Sequence, residues 1–300
     1  MKVAYLIDKE AIGGGNEYVL RKIASRKRDI CRVFYASKNE CTIRQLDKWG
    51  ADEIVVNHLK ALFQLLVNPF KRPKGRVIFV VHGVHLRKYI WKMNEQRVMR
   101  IAFLFQYYLR RGVEAILYRR CNNIIALTDD DKKAIMHLYG RNLPVTVESN
   151  TLEGWEPHLV ENYPPGVVGS YEYLCIGRFS YQKGQDRWIR FLHDNYPYNA
   201  EFGNQSPGRT LFIGDGETFE ACRKLSIRLG VSHICTFAGA IAEADKYLKC
   251  AKTIVSPSRW EGMPYLLMKA RFLGCRILAT DCPGNHEVLD GYDCWKKLEL

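Results

Sequence analysis

The sequence lacks several features that would place it in other classes of protein. Its ten cysteines form no Cys-x-x-Cys pair, and none has the spacing to histidine that is typical of a zinc site. No apolar run approaches the about 20 residues needed to cross a bilayer. The first residues, MKVAYLID, reach Asp8 before the apolar core of a signal peptide could form. We therefore expect a cytoplasmic protein with reduced thiols that is soluble or bound to a membrane surface, and not an integral one.

The most familiar nucleotide-binding fingerprints are also missing. Gly13–Gly15 follow the first predicted strand, Val3–Ile7, but no third glycine completes a G-x-G-x-x-G pattern and no Gly-Lys-Ser/Thr follows. Such a glycine run still lets the backbone approach a ligand closely and present N–H groups to an anion. The glycine run is consistent with a ligand contact and equally with a flexible turn.

Short apolar segments alternate with helical patterns along the chain, which is typical of parallel α/β domains. The 300 residues are enough for two such domains of roughly 150 residues each. We predict a first domain over residues 1–152, a linker over 153–170 and a second domain over 171–300.

The stretch from Val255 to Leu289 contains the clearest unit of this kind. A predicted strand, Thr253–Ser256, leads into a loop with Glu261, a helix with Pro264 at its first position, and a second strand. Ligands of parallel sheets bind at the carboxyl edge, and the free N–H groups of a helix start favour an anion. The pattern predicts a phosphate site beside a carboxylate, although an ordinary crossover with a Glu in its loop also fits.

Two cations follow another predicted strand of the second half. Tyr173–Ile176 runs into the loop GRFSYQKG, which carries Arg178 and Lys183. Two cations together with helix N–H groups match a diphosphate better than a single phosphate.

Two patterns in the first half allow more than one interpretation. His82 leaves the carboxyl end of the apolar strand Arg76–Val81, which suits a site residue and equally a capped loop residue. Asp129-x-Asp131 could be a metal-binding pair, but Thr128 three residues before Asp131 is also typical of a helix N-cap with an acidic first turn. We favour the cap.

The excess of basic over acidic residues lies wholly in the first half. Residues 1–150 hold 28 Lys and Arg against 14 Asp and Glu, whereas residues 151–300 hold 17 against 18. Such an excess predicts an anionic partner for the first half: lipid, nucleic acid or a phosphorylated acceptor. An RNA-binding fold would show an arranged aromatic–basic sheet motif, which is missing, so we do not expect nucleic acid as a partner.

Residues 87–120 combine apolar and aromatic bulk with arginine. This composition is typical of a helix lying in a membrane interface, while a long core helix with solvated arginines explains the apolar residues too. The arginines favour the membrane, so we predict a protein peripheral to the anionic inner face of the cytoplasmic membrane. The residues predicted to dock are Arg97, Arg100, Phe103, Phe105, Arg110 and Arg111.

Four motifs of the second half occur in the order found in one enzyme family. They are G-R-F-S-x-x-K-G from Gly177, F-I-G-D-G-E from Phe212, P-S-R-x-E-G-M-P from Pro257 and A-T-D-C-P-G-x-x-E from Ala279. With them, the chain resembles the retaining glycosyltransferases of the "group 1" family, which have the GT-B fold. The segment Gly-Gly-Asn-Glu ending at Glu17 resembles that family's N-terminal GGxE loop. The position of His82 resembles that of its active-site histidine.

The resemblance implies an α/β protein of two Rossmann-like parallel-sheet domains facing a cleft, an acceptor-binding one and a nucleotide-sugar-binding one. It implies transfer from a nucleoside-diphosphate sugar with retention of configuration, without metal or other cofactor. The implied acceptor is a glycan or lipid-linked molecule of lipopolysaccharide, O-antigen or capsule type. The catalytic residues would be Arg178, Lys183, Glu261 and His82. The donor-binding residues would be Gly14, Gly15, Gly239, Gly262, Met263, Pro264, Tyr265 and Lys269.

Two departures from the family pattern affect these expectations. The family's second Glu, eight residues after Glu261, is replaced by Lys269, which has no acceptor to offer a ribose diol. We therefore expect Lys269 to act on the phosphate side. The sequence also stops before the further helices of relatives, so we expect a C-terminal domain shorter than usual. The alternative function is a catalytically silent GT-B partner protein that tethers or activates another transferase.

Overall fold

A computed structural model describes residues 1–8, 14–157, 171–201 and 208–300. The chain divides into two compact units, Met1–Thr151 and Leu152–Leu300. Each unit is built on a six-stranded sheet whose paired strands are parallel. Gly13 and most of the predicted linker, residues 158–170, lie outside the described residues.

The sheet of the first unit reverses its direction of growth between β1 and β3. The strands are β1 Lys2–Ile7, β2 Ile30–Tyr35, β3 Glu53–Val56, β4 Arg76–Val81, β5 Asn123–Ala126 and β6 Val145–Val147. Side by side they are ordered β2-β1-β3-β4-β5-β6. Such a reversal opens a crevice at the carboxyl ends of the strands, where ligands of parallel sheets bind.

Six helices of the first unit cover its sheet. They are α1 Gly14–Ser25, α2 Ile43–Trp49, α3 Leu59–Leu66, α4 Arg87–Glu95, α5 Arg100–Tyr118 and α6 Asp129–Tyr139. A 3₁₀ turn, Arg97–Met99, joins α4 to α5, so the stretch 87–120 is two helices. The hydroxyl of Thr128 accepts a hydrogen bond from the Asp131 N–H at 3.0 Å, and the predicted N-cap is confirmed.

Asp131 has a structural partner inside the first unit. Its side chain is fully buried and lies 2.8 Å from Nη1 of Arg87, the first residue of α4. A buried carboxylate requires such a counter-charge, because desolvation disfavours its ionised form. The pair therefore ties α4 to α6, and it gives Asp131 a role that does not involve a metal.

The second unit repeats the architecture. Its strands are β7 Tyr171–Ile176, β8 Thr210–Ile213, β9 Cys235–Phe237, β10 Ala251–Ser256, β11 Arg276–Ala279 and β12 Trp295–Lys297. Their order is β12-β11-β10-β7-β8-β9, so the reversal falls between β7 and β10. Its helices are α7 Gln185–Glu201, α8 Phe219–Arg228, α9 Tyr265–Phe272 and α10 Pro283–Leu289.

The central strands of the second unit are buried on both faces. Leu174 and Ile254 belong to one apolar cluster, whereas their chain neighbours Cys175 and Val255 belong to another. Successive side chains of a strand point to opposite faces, so each cluster covers one face of the sheet. This packing fixes the strand ends from which the loops of the candidate site begin.

Two helix starts differ from the sequence prediction. Pro264 was predicted at the first helical position, but it is the N-cap, with an extended backbone (φ −74°, ψ 114°), and α9 begins at Tyr265. The sequence Asp281-Cys-Pro-Gly after β11 is by itself a turn signal, yet α10 begins within it at Pro283. Proline suits the first helical position because its φ is already helical and its missing N–H has no partner there.

Candidate active site

A buried carboxylate and a lysine meet where the order of the C-terminal sheet reverses. Nζ of Lys183, in the loop after β7, donates to Oε1 of Glu261, in the loop after β10, at 2.7 Å. The hydroxyl of Ser258 donates to the same oxygen at 2.6 Å. The side chain of Glu261 is 6% exposed and that of Lys183 is 29% exposed. The carboxylate therefore lies within the loops, and the ammonium lies nearer to solvent.

The two loops are locked to each other beside this pair. Both Nη atoms of Arg259 donate to the carboxylate of Asp186, at 2.9 and 2.8 Å, and the guanidinium lies 4.1 Å from the ring centre of Tyr181. Gly184 has φ +68°, and a side chain there would place its Cβ 2.2 Å from the carbonyl oxygen of Pro257. Because these contacts are made within the protein, the loops keep their shape before any ligand binds.

Arg178 lies in the same loop as Lys183 and is exposed. Its aliphatic stem packs on the loop after β8, where a Cβ on Gly216 would lie 3.0 Å from Cγ of Arg178. Gly214 must be glycine for the same reason, since a Cβ there would lie 2.1 Å from the carbonyl oxygen of Gly177. The guanidinium is therefore presented on a fixed backbone at the carboxyl edge.

The start of α9 completes this edge. Pro264 makes no side-chain cap to the helix, and the first N–H groups of an uncapped helix attract an anion. The backbone of the preceding Gly262 packs closely against α10, since a Cβ on Gly284 would lie 2.1 Å from the carbonyl oxygen of Gly262. Lys183, Glu261 and the start of α9 thus lie at the reversal point, and Arg178 lies in the same loop as Lys183, an arrangement that suits a diphosphate attached to a sugar.

Gly239 lies on the neighbouring loop, which follows β9. Its φ is +72°, a left-handed value that glycine adopts without strain. Its carbonyl oxygen accepts a hydrogen bond from the Gly214 N–H at 2.8 Å. The loop of this predicted donor-binding glycine is therefore held against the loop after β8.

Lys269 has a different partner from the one predicted. Its side chain is 10% exposed, and Nζ donates to Oδ2 of Asp245 at 3.1 Å. Nε1 of Trp155 donates to the same oxygen at 3.1 Å, and Nζ lies 5.4 Å from the Trp155 ring centre. Burial raises the pKa of Asp245, but the hydrogen bonds and the charge of Lys269 outweigh it and hold the pKa below its ordinary value. The ammonium is neutralised within the unit, because a nearly buried lysine needs a counter-charge.

Replacing Lys269 with Glu is expected to destabilise the protein by about 2 kcal/mol at neutral pH, because it sets a second carboxylate beside Asp245. Urea unfolding monitored by tryptophan fluorescence measures the loss. It should shrink as the pH falls and the carboxylates take up protons. The matched control is Lys246→Glu, which breaks a more exposed pair with Glu243 and should cost under about 1 kcal/mol. Equal losses for the two variants would contradict the assignment.

His82 lies at the carboxyl end of β4 in the first unit. Its Nε2 is 3.2 Å from Oδ1 of Asn57, and the edge of the Tyr18 ring packs on it with 5.3 Å between ring centres. Burial, followed by the nearby His58 and His85, lowers the pKa of His82 to about 3. The ring is therefore neutral at physiological pH and can exchange hydrogen bonds with a ligand without carrying charge.

Gly14 and Gly15 are the first residues of α1, the helix that follows β1. This places their backbone at the carboxyl edge of the first sheet, where the sheet order reverses. The glycine run was expected to form a loop that approaches a ligand. In the structure, Gly14 and Gly15 belong to the start of α1, at the same edge of the sheet.

The residues predicted to dock on a membrane divide into two groups. Phe105 is 70% exposed on α5, but Phe103 is 8% exposed, and its prediction as a docking residue is wrong because it lies on the buried face of the helix. Arg110 pairs with the buried Glu114 at 2.9 Å, and Nε of Arg111 donates to the Leu138 carbonyl at 2.8 Å. Arg100 begins α5 and is exposed, and Arg97 lies in the 3₁₀ turn before it.

Sequence reasoning missed three polar residues that the structure places at these sites. Ser258 lies within a recognised motif, and its spacing from Glu261 was the available signal. Asn57 and Asp245 carry no motif, and only the fold brings them to His82 and Lys269.

Comparison with known proteins finds a family match within the C-terminal unit. Residues 170–296 match the family described as "Glycosyl transferases group 1". The chain is 28% identical over 184 residues to an uncharacterized glycosyltransferase of Methanocaldococcus jannaschii, covering 57% of this chain and 43% of that protein. It is 24% identical over 241 residues to the lipopolysaccharide core biosynthesis mannosyltransferase LpsB of Rhizobium meliloti, covering 76% and 66%. The chain spans less than two thirds of either relative.

The fold is also found among solved structures. HepE of Anabaena in complex with UDP-glucose aligns with a TM-score of 0.69 at 17% identity, over 99% of this chain and 85% of that one. At this identity the likeness bears on the fold alone. The predicted α/β class with two Rossmann-like GT-B domains is confirmed, and so is the resemblance to group 1 glycosyltransferases.

Proposed function

We propose that this protein, whose residues 170–296 match the group 1 glycosyltransferases, is a retaining glycosyltransferase. It moves a sugar from a nucleoside-diphosphate donor to a lipid-linked or surface-glycan acceptor of lipopolysaccharide, O-antigen or capsule type. The second unit binds the donor, and the first binds the acceptor. The observation that carries the proposal is the contact of Lys183 with Glu261 at 2.7 Å, beside Arg178 and the uncapped start of α9.

The chemistry follows from the charges at this edge. Arg178, Lys183 and the first N–H groups of α9 neutralise the diphosphate as it leaves, so the reaction proceeds without a metal ion. Glu261 accepts hydrogen bonds from the donor sugar, because a buried carboxylate offers several acceptor positions. The names of the relatives support this donor class: one structure contains UDP-glucose, and one relative is called a lipopolysaccharide core mannosyltransferase.

Thermal unfolding with a panel of nucleoside diphosphates and their sugars tests the donor, since a ligand that binds only the folded state raises the melting temperature. The best donor, radiolabelled, is then incubated with a lipid extract and with solubilised surface glycan, and EDTA is present throughout. We expect label in one acceptor fraction and the configuration of the donor in the product. Stabilisation by a donor without transfer to either fraction would favour the silent partner protein, and stabilisation by none would contradict both functions.

The membrane part of the proposal depends on the exposed face of α5. Ile101, Phe105, Tyr108, Leu109 and Ile116 recur at helical spacing and are each at least 58% exposed. The acidic residue of α5, Glu114, is buried and paired with Arg110, so the exposed face carries no negative charge. An apolar stripe bordered by arginine suits an anionic leaflet. None of the helices in the described parts of the chain is long and apolar enough to cross a membrane.

Replacing both Phe105 and Leu109 with Ser should lower partition onto anionic vesicles at least about tenfold, because each buried side chain contributes about 1.5–3 kcal/mol. Sedimentation with vesicles of phosphatidylglycerol and phosphatidylcholine, and with phosphatidylcholine alone, measures this partition. The control is Phe70→Ser, since Phe70 is 96% exposed but lies outside α5. Wild-type protein that binds both vesicles equally, or neither, would contradict membrane docking.

A further inference from the structure

Asn57 is a buried polar residue beside the predicted catalytic histidine. It follows β3 and is 3% exposed. Its backbone N–H donates to the Leu6 carbonyl at 2.9 Å, which fixes its position beside β1. Its side-chain oxygen lies 3.2 Å from Nε2 of His82. The amide and the ring therefore form one pair at the carboxyl edge of the first sheet.

The orientation of the Asn57 amide is set by a neighbouring carbonyl. Nδ2 of Asn57 faces the carbonyl oxygen of Val55 at 3.5 Å. Turned the other way, the amide would place its own oxygen against that oxygen, so that two acceptors would meet without a proton between them. Oδ1 therefore faces His82. Since an amide oxygen only accepts, Nε2 of His82 carries the hydrogen and donates it.

The surroundings of His82 keep the ring in this single protonation state. The titratable side chains that face it are Tyr18 from α1, His58 at the start of α3 and His85 in its own loop. Burial and the two histidines disfavour an imidazolium. A neutral imidazole with hydrogen on Nε2 leaves a lone pair on Nδ1 that can accept a hydrogen bond.

We propose that Asn57 is a positioning residue that holds His82 as the Nε2–H tautomer, so that Nδ1 accepts a hydrogen bond from a hydroxyl of the bound sugar. The identification of the ligand as a sugar rests on the proposed function, whereas the assignment of the tautomer does not. His82 then recognises the hydrogen of a sugar hydroxyl. A deoxyfluoro analogue at that hydroxyl is bound no better than a deoxy one, because fluorine has no hydrogen to donate.

Long-range ¹H–¹⁵N correlation of the full chain labelled at histidine nitrogen tests the tautomer. In the wild type we expect a protonated Nε2, an unprotonated Nδ1 and no titration of His82 over roughly pH 5 to 9. Asn57→Leu keeps a similar volume without the acceptor, and the two tautomers should then interconvert. Asn57→Asp keeps the acceptor but adds a charge, so His82 should retain Nε2–H and begin to titrate in this range.

The matched control is Asn122→Leu. The side-chain oxygen of Asn122 accepts from the Val77 N–H at 2.8 Å, at the opposite end of β4. Asn122 is exposed; its replacement removes one side-chain hydrogen bond in the same unit and should leave the His82 signals unchanged. A shift as large as that of Asn57→Leu would assign the effect to general loosening of the sheet and overturn the proposal.

Three further outcomes would overturn the proposal. They are a wild-type ring with hydrogen on Nδ1, a wild-type ring that titrates near the ordinary histidine value, and an unchanged Nε2–H signal in Asn57→Leu. If Asn57→Leu does not fold, Asn57→Asp decides, and a His82 that still does not titrate overturns the proposal.

In transfer assays, Asn57→Leu should lose on the order of tenfold in kcat, while Asn57→Asp should gain an acid limb in its pH profile. Wild-type protein that transfers no sugar would reject the proposed function and leave the tautomer result standing.

Discussion

Under the proposed function, replacing Lys183 or Arg178 with Ala is expected to lower kcat/KM for the nucleotide-sugar donor a hundredfold or more. Each change would remove one of the two cations proposed to stabilise the leaving diphosphate, a contribution on the order of 3 kcal/mol in the transition state. The loops that present them are locked by Arg259 and by the close backbone approach at Gly184. Water therefore cannot replace the lost cation with the same geometry.

Lys252→Ala is the matched control for Lys183→Ala. Lys252 also pairs with a glutamate between β10 and β7, Nζ lying 2.8 Å from Glu172, but it lies near the amino ends of these strands and its side chain is 69% exposed. Its loss should leave kcat/KM within a factor of about two. Thermal unfolding of each variant separates lost catalysis from lost fold. Variants of Lys183 and Arg178 that fold normally and transfer within about threefold of wild type would contradict the assignment.

Replacing Arg87 with Leu destabilises the first unit by about 3 kcal/mol or more at pH 7. Asp131 is fully buried and lies 2.8 Å from the guanidinium, so the change leaves a buried carboxylate without its counter-charge. Guanidinium-induced unfolding followed by circular dichroism measures the loss. Lys133→Leu is the control on the same region, since Lys133 and Asp130 are both exposed and 3.9 Å apart, and it should cost under about 1 kcal/mol.

The loss caused by Arg87→Leu should depend on pH in one direction. Burial raises the pKa of Asp131 to about 6, although Arg87 pulls it down. This pKa is above the ordinary aspartate value of about 4. Between about pH 4 and pH 6, Asp131 therefore holds a proton in the folded state that it lacks in the unfolded state. The free energy of unfolding falls as the pH rises through this range. Without Arg87 the pKa rises further, and the deficit grows towards neutral pH and shrinks below about pH 5. A loss that is the same at pH 5 and pH 8 would contradict the buried pair.

Most of the fold could be predicted because the central strands are apolar throughout. Arg76–Val81 has the predicted bounds, since a strand buried on both faces is a continuous apolar run. The edge strand Trp295–Lys297 was not predicted, because it has three residues, two of them lysines, and forms only by pairing with β11. The start of α10 was missed because Cys-Pro-Gly is typical of a turn. The helix is stabilised by tertiary packing that the sequence does not show, since Val288 and Leu289 are buried.

The candidate site was predictable where residues share a loop, and less so where the fold unites distant ones. Arg178 and Lys183 follow one strand, so their common edge follows from the parallel sheet. The partner of Lys269 is Asp245, 24 residues earlier in the chain. No spacing rule indicates that these two residues pair. Phe103 and Phe105 look alike in composition, but the helix turns one inwards and the other outwards.

Titration of nucleoside diphosphates by calorimetry, in the presence of EDTA, tests the central claim most directly. The claim is that the reversal point of the C-terminal sheet binds a diphosphate through Lys183 and Arg178. We predict that one nucleoside diphosphate binds the wild type and Lys252→Ala equally. Lys183→Ala should bind it at least about tenfold more weakly, a loss of about 1.4 kcal/mol. Equal binding by Lys183→Ala and wild type, or binding by the wild type only when a divalent metal is added, would contradict the account.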